Sequence, residues 1–87
     1  MPGVSRVNTD SAGGTIIGAL APTVYVNGQN IVCQGSDVQG HGTGAHASPT
    51  MTDHSSTVKA NGILICRAGD AASCGHAASG SSTVFAG

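Results

Sequence analysis

Apolar residues fall in short runs along this chain, and each run ends at a polar turn. Val24-Tyr25-Val26 gives way to Asn27-Gly28, Ile31-Val32-Cys33 to Gln34-Gly35-Ser36-Asp37, and Ile63-Leu64-Ile65-Cys66 to Arg67-Ala68-Gly69-Asp70. Short β-branched and aliphatic runs bounded by Gly, Asn, Ser and Asp read as strands. Asn-Gly between two such runs is the strongest short-range hairpin signal, because both residues tolerate positive φ. The pattern predicts hairpins centred on Asn27-Gly28 and Asn61-Gly62, with strands near 23–26, 30–33, 57–60 and 63–66. Ile16-Ile17 and Val84-Phe85 are lesser strand candidates. No segment sustains a helical period with caps. The fold class expected is all-β.

The runs also recur in order. Thr23-Val24-Tyr25-Val26-Asn27-Gly28 and Thr57-Val58-Lys59-Ala60-Asn61-Gly62 share one pattern, and Ser82-Thr83-Val84-Phe85-Ala86-Gly87 reads as a third, shortened copy. Serines precede two of these, at Ser55-Ser56 and Ser81-Ser82. After each Asn-Gly an apolar run leads to a turn ending in Asp37 or Asp70, and Arg6-Val7-Asn8-Thr9-Asp10 fits the same slot. Self-similarity at this spacing predicts one small supersecondary unit used three times. On that reading Cys33 and Cys66 hold equivalent positions and are small buried residues. Asp10, Asp37 and Asp70 are equivalent turn residues bonding their own downstream backbone. Three loops then meet at one end: Ser11-Ala12-Gly13-Gly14, the stretch from Val38 to His46, and Ala71-Ala72-Ser73-Cys74-Gly75-His76.

Composition narrows the picture. The chain has 87 residues, which suits a single domain spanning 1–87 with a modest core. It carries 14 glycines, one Phe, one Tyr and no Trp, so packing alone supplies little and a staple is expected. Only Arg6, Lys59 and Arg67 are permanently basic. Nucleic-acid binding needs several phosphate contacts from such residues, which excludes that class. No apolar run approaches the length of a membrane span. The start lacks the basic and apolar stretches of a signal peptide, so synthesis in the cytoplasm is expected. Three cysteines make an odd set, better suited to metal binding or burial than to a disulfide framework.

The turns after Thr9-Asp10 and Gly69-Asp70, the Ser73-Cys74-Gly75 triplet, Gly80-Ser81-Ser82-Thr83-Val84 and the two Asn-Gly hairpins together resemble the PAAR-repeat family over roughly residues 4–87. The signature Pro-Ala-Ala-Arg itself is absent; Ile31-Val32-Cys33-Gln34 and Ile65-Cys66-Arg67 stand nearest to it. The resemblance implies a small conical domain with a metal ion, usually zinc, near the apex. It also implies a flat base seated on a trimeric β-helical spike of a phage tail or type VI secretion system, one cap per trimer. Many members of that family carry a His where this chain has Ala12.

With the resemblance in place, His41, His46, Cys74 and His76 form a candidate Cys-His₃ set for tetrahedral zinc. Their spacing matches no zinc-finger formula. A lone His in a Gly-rich loop is commonly just a solvated residue, and His54 competes with His76 for the fourth place. A cone apex has little interior volume to bury, and coordinate bonds can hold converging loops there. The function expected is a non-enzymatic, structural cap that sharpens a spike and meets the target cell envelope transiently, with no small-molecule substrate. The alternative is a small zinc hydrolase with an open coordination position. That needs an acid or base beside the metal, and the chain has no Glu and four Asp that read as turn residues.

Overall fold

Asn27 and Gly28 adopt φ of 52° and 81°, and Asn61 and Gly62 adopt 51° and 81°, in the computed structural model, which describes residues 2–86. Positive φ at both central residues is the signature of the two-residue hairpin turn that matches strand twist. Each pair closes a hairpin as expected. β1 (Ser11–Ala12) pairs antiparallel with β2 (Gly14–Thr15), β3 (Ala21–Val26) with β4 (Gln29–Ile31), and β5 (Lys59–Ala60) with β6 (Ile63–Leu64). The architecture is all-β, and the one helical segment among the described residues is a 3₁₀ turn at Gly44–His46. No helix among them is long and apolar enough to cross a membrane.

The regular strands are shorter than the apolar runs suggested, for identifiable reasons. The ladder expected over 57–60 begins only at Lys59, because Ser55 Oγ accepts the N–H groups of Thr57 and Val58. Ser81 Oγ does the same for Thr83 and Val84. Such local side-chain bonds compete directly with sheet ladders. The run at 30–33 leaves its hairpin after Ile31, since Val32 N–H turns to Ser5 O at 3.1 Å and Cys33 N–H to Ser36 Oγ at 3.1 Å. At 63–66 the ladder stops at Leu64, and Ile65 bridges Cys33 instead. Ile16 and Phe85 form isolated bridges, to Val38 and Gly3, in place of the lesser strands expected there. Gly87, on which the third sequence copy ends, lies outside the described residues.

Separate hairpins are tied together by a closed set of backbone bonds. Ser5 N–H donates to Cys66 O at 3.1 Å, Cys66 N–H to Val32 O at 2.9 Å, and Val32 N–H back to Ser5 O. One residue pair further out, Val7 donates to Asn30, Gln34 to Leu64 and Ala68 to Gly3, at 2.7–2.8 Å. Nearer the loops, Ile17 donates to Asp37 O, Thr52 to Ala71 O and Ser79 to Ser11 O. The two ends of the described chain also pair: Val4 N–H meets Val84 O, and Ala86 N–H meets Pro2 O. Buried backbone polar groups are thereby satisfied between segments far apart in sequence.

These contacts correct two expectations of equivalence. Arg67 N–H donates to Asp70 Oδ2 and Arg6 N–H to Asp10 Oδ2, whereas the matching bond from Cys33 N–H goes to Ser36 Oγ. Ser36, not Asp37, therefore occupies the place of Asp10 and Asp70. Cys66 likewise matches Val32 in the bond ring, so Cys33 and Cys66 are offset by one position. The sequence motif slips here because a hydroxyl replaces a carboxylate as acceptor. Asp10 and Asp70 also accept from backbone upstream of themselves, not downstream as expected.

Two apolar clusters fill the interior. Val4, Ala21, Val26, Ile31, Cys33, Ala60, Ile65 and Ala86 lie among the hairpins. Val7, Ala12, Ile16, Val32, Val38, Met51, Cys66, Ala72 and Ala78 lie toward the loops, and Cys74 packs against that cluster. Cys33 and Cys66 are both fully buried, as expected.

Candidate metal centre

The loop from Gln39 to Pro49 is built to bring two histidines together. His41 N–H donates to His46 O at 2.9 Å, closing it across its neck. Inside, His46 N–H reaches Thr43 O and Ala47 N–H reaches Gly44 O, forming the 3₁₀ turn. Gly44 sits at φ 63°, a conformation other residues rarely adopt. The second loop is tighter. Ala72 N–H donates to His76 O and Gly75 N–H to Ala72 O, both at 2.9 Å, with Gly75 at φ 89°. That turn carries Cys74 and His76.

The four side chains converge. His41 Nε2 lies 3.1 Å from His46 Nδ1 and 3.0 Å from His76 Nδ1, and Cys74 Sγ lies 3.6 Å from His76 Nδ1. One donor atom from each of the four residues falls within 4.8 Å of all the others. The imidazole centroids form a near-equilateral triangle with sides of 5.0, 4.9 and 5.1 Å. His41, His46 and Cys74 are partly buried and His76 is exposed.

The donor chemistry suits a cation. His41 Nδ1 stands 3.0 Å from Gln39 O. A carbonyl oxygen only accepts, so Nδ1 carries the proton and Nε2 is left with a bare lone pair. That lone pair is the atom aimed at His46 and His76. A backbone carbonyl fixing the tautomer and orientation of a ligating imidazole is the usual support for a metal-binding histidine. With metal–nitrogen bonds of about 2.0 Å, the edge of a tetrahedron is about 3.3 Å. The two nitrogen–nitrogen spacings of 3.1 and 3.0 Å fall slightly short of that edge, and the sulfur–nitrogen spacing of 3.6 Å is close to the edge of about 3.5 Å expected with the longer metal–sulfur bond. The cluster could therefore hold a metal ion.

His54 stands outside the cluster. Its Nδ1 faces Ser55 O at 2.8 Å, and its carbonyl accepts from Arg67. None of the four Asp residues joins the cluster: Asp10 and Asp70 are clamped by Arg6 and Arg67, Asp53 Oδ2 accepts Ala71 N–H, and Asp37 pairs through its backbone with Ile17. Burial pushes the Asp10 carboxyl up, but hydrogen bonds from the Arg6 guanidinium, the Ser79 hydroxyl and the Arg6 N–H outweigh it and hold it below the usual carboxylate range. Burial, with the Asp70 charge second, pushes the Cys66 thiol up to about 12, and the thiol donates to Asp53 O at 3.2 Å.

The donor-free loop Ser11-Ala12-Gly13-Gly14, expected from the repeat to meet the other two, does reach the cluster. A Cβ at Gly14 would come within 2.9 Å of His41 Nδ1, and one at Gly13 would collide with His76. The repeat pointed to this loop, but not to its glycines lying directly against the donor atoms. No family model matches this chain, and no curated protein matches it.

Proposed function

We propose that this protein is a structural, zinc-holding tip that caps a trimeric β-helical spike of a contractile injection machine. The observation that carries the reading is the convergence of His41, His46, Cys74 and His76 from two separate loops onto one small volume. Three imidazoles and one thiol, with no carboxylate among them, are a donor set suited to zinc. The ion would be held by His41 Nε2, His46 Nδ1, His76 Nδ1 and Cys74 Sγ; when bound it would act as a structural crosslink between the loops. Four protein donors leave no open position, the arrangement of a structural rather than a catalytic site.

The cyclic hydrogen bonds through Ser5, Cys66 and Val32 support a reading of three hairpin units around a common axis. Two units are the Asn-Gly hairpins, and the third is made by the paired ends of the chain. Extents of 32 × 22 × 22 Å describe an elongated body, consistent with a spike tip. The hairpins would form its base. A homotrimeric β-helix ends in three equivalent strand edges, and exposed edges seek a cover. One chain with approximate threefold symmetry would satisfy all three at once.

Two measurements test this. Native mass spectrometry after zinc-replete expression should find one zinc per chain; apo protein alone would refute the metal reading. Light scattering of the protein mixed with a cognate spike trimer should give one cap per trimer, little affected by salt because the chain has three Lys or Arg and four Asp or Glu. Three caps per trimer, or binding abolished at moderate salt, would refute the partner reading.

A further inference from the structure

β1 and β2 are joined through Gly13 alone, in the tightest of the three turns that gather around the donors. Gly13 has φ of 84° and brings no donor of its own. Yet a Cβ built on it would overlap His76 Nδ1 and fall 2.6 Å from His41 Nε2, two of the four donor atoms. Bare peptide thus stands where any side chain would occupy the space between the donors. Next to it, Cys74 Sγ lies 3.9 Å from Ala12 O, and Ala12 is fully buried, so the same turn also abuts the thiol.

We infer that Gly13 is a specificity-determining residue of the cluster: its missing side chain makes room for the ion, and its peptide walls off that face against a fifth ligand. This rests on the reading that the cluster holds a metal. It goes further in naming a residue outside the donor set that decides whether the site can load and what coordination it permits. A site walled in this way selects divalent ions that accept four tetrahedral ligands over those that demand six. The Ser11–Thr15 hairpin therefore serves the centre by its backbone, while the other two turns serve it by their side chains.

Two alanine substitutions separate this from simple backbone strain. Gly28 has nearly the same φ, 81°, with nothing within 4 Å of an added Cβ. Gly28→Ala therefore carries the strain of positive φ without the collision. Gly13→Ala should weaken zinc at least about tenfold in competition with a chromophoric chelator, the scale of loss when the surroundings of a ligand are disturbed. Gly28→Ala should bind like the parent. Cobalt(II) in the parent should show the intense visible bands of four-coordinate tetrahedral geometry, and Gly13→Ala should lose them. Should Gly13→Ala fail to fold, the triple variant Gly13→Ala/His41→Ala/His76→Ala decides: relief of both collisions restores folding, and persistent misfolding overturns the proposal. Equal zinc affinity in Gly13→Ala and the parent, or weak six-coordinate cobalt bands in the parent, would also overturn it. A parent that binds no zinc would instead remove the metal reading on which it stands.

Discussion

Asn27 Nδ2 donates to Thr83 Oγ1 at 3.1 Å, across 56 positions of sequence. The tip of one hairpin is thereby tied to the Ser81–Thr83 turn far along the chain. Asn27 Oδ1 also accepts from Ser81 Oγ at 2.6 Å and Arg6 Nη1 at 3.4 Å. Asn61, at the corresponding tip, makes one such bond among the described residues, to Thr23 Oγ1 at 3.1 Å.

That difference sets the first prediction. Both Asn→Ala substitutions lose a residue suited to positive φ, at a cost of about 1 kcal/mol. Asn27→Ala also takes the acceptor from the buried Ser81 hydroxyl, so it should cost about 1 kcal/mol more than Asn61→Ala. Urea unfolding of the two variants checks this, and equal midpoints would contradict it.

Cysteine substitutions should separate the metal from the core. Cys74→Ser removes a proposed ligand and should abolish stoichiometric zinc, with a large fall in melting temperature, since metal binding is coupled to folding. Cys33→Ser should retain zinc but destabilise by about 1–3 kcal/mol, because a hydroxyl replaces a fully buried thiol. Elemental analysis with thermal unfolding distinguishes the two. Full occupancy in Cys74→Ser would show the ligand assignment to be wrong.

Thiol labelling gives an independent reading. The thiolate is the reactive form, and burial pushes Cys33 upward and Cys66 up to about 12. Native, zinc-loaded protein should therefore label slowly at all three cysteines. Chelation should release Cys74 alone to the reagent, and denaturant should release all three. Peptide mapping that found Cys33 or Cys66 modified before Cys74 would contradict the arrangement.

Acid should weaken the fold through Asp10. Its carboxyl is held below the usual range in the folded state. A depressed folded value contributes stability that is present above the unfolded value and is lost as pH falls through the folded one. Asp10→Asn should cost about 2 kcal/mol near neutrality and flatten the decline below the ordinary Asp range. The comparison is made with chelator present, so that proton competition for the histidines plays no part. An unchanged acid profile in Asp10→Asn would remove this role for the Arg6–Asp10 clamp.

Much of the local structure was legible in the sequence. Asn27-Gly28 and Asn61-Gly62 determined two hairpins, because positive φ at successive residues is a local steric preference that neighbours rarely overturn. The lack of a sustained helical period pointed away from a long helix, and three scattered Lys or Arg residues argued against a nucleic-acid partner. His41, His46, Cys74 and His76 were legible as candidate donors from the repeat together with the resemblance, although His54 could not be set aside. Choosing between His54 and His76 depends on where two loops end in space, and sequence distance does not encode that.

The tertiary structure decided the rest. Strand lengths were cut where Ser55 and Ser81 captured backbone N–H groups, and the ring through Ser5, Val32 and Cys66 fixed a pairing among the repeated segments that their shared motif does not specify. The slip that put Ser36 in the place of Asp37 was invisible because a hydroxyl and a carboxylate can both accept the same N–H. Gly13 is the clearest case. In sequence it is one of 14 glycines with no donor beside it. Only the folded chain brings its peptide against His41 and His76. Sequence determines what a residue can do locally, by its dihedral freedom and its donor atoms. Which empty space its missing side chain leaves open is a property of contacts made across the whole chain.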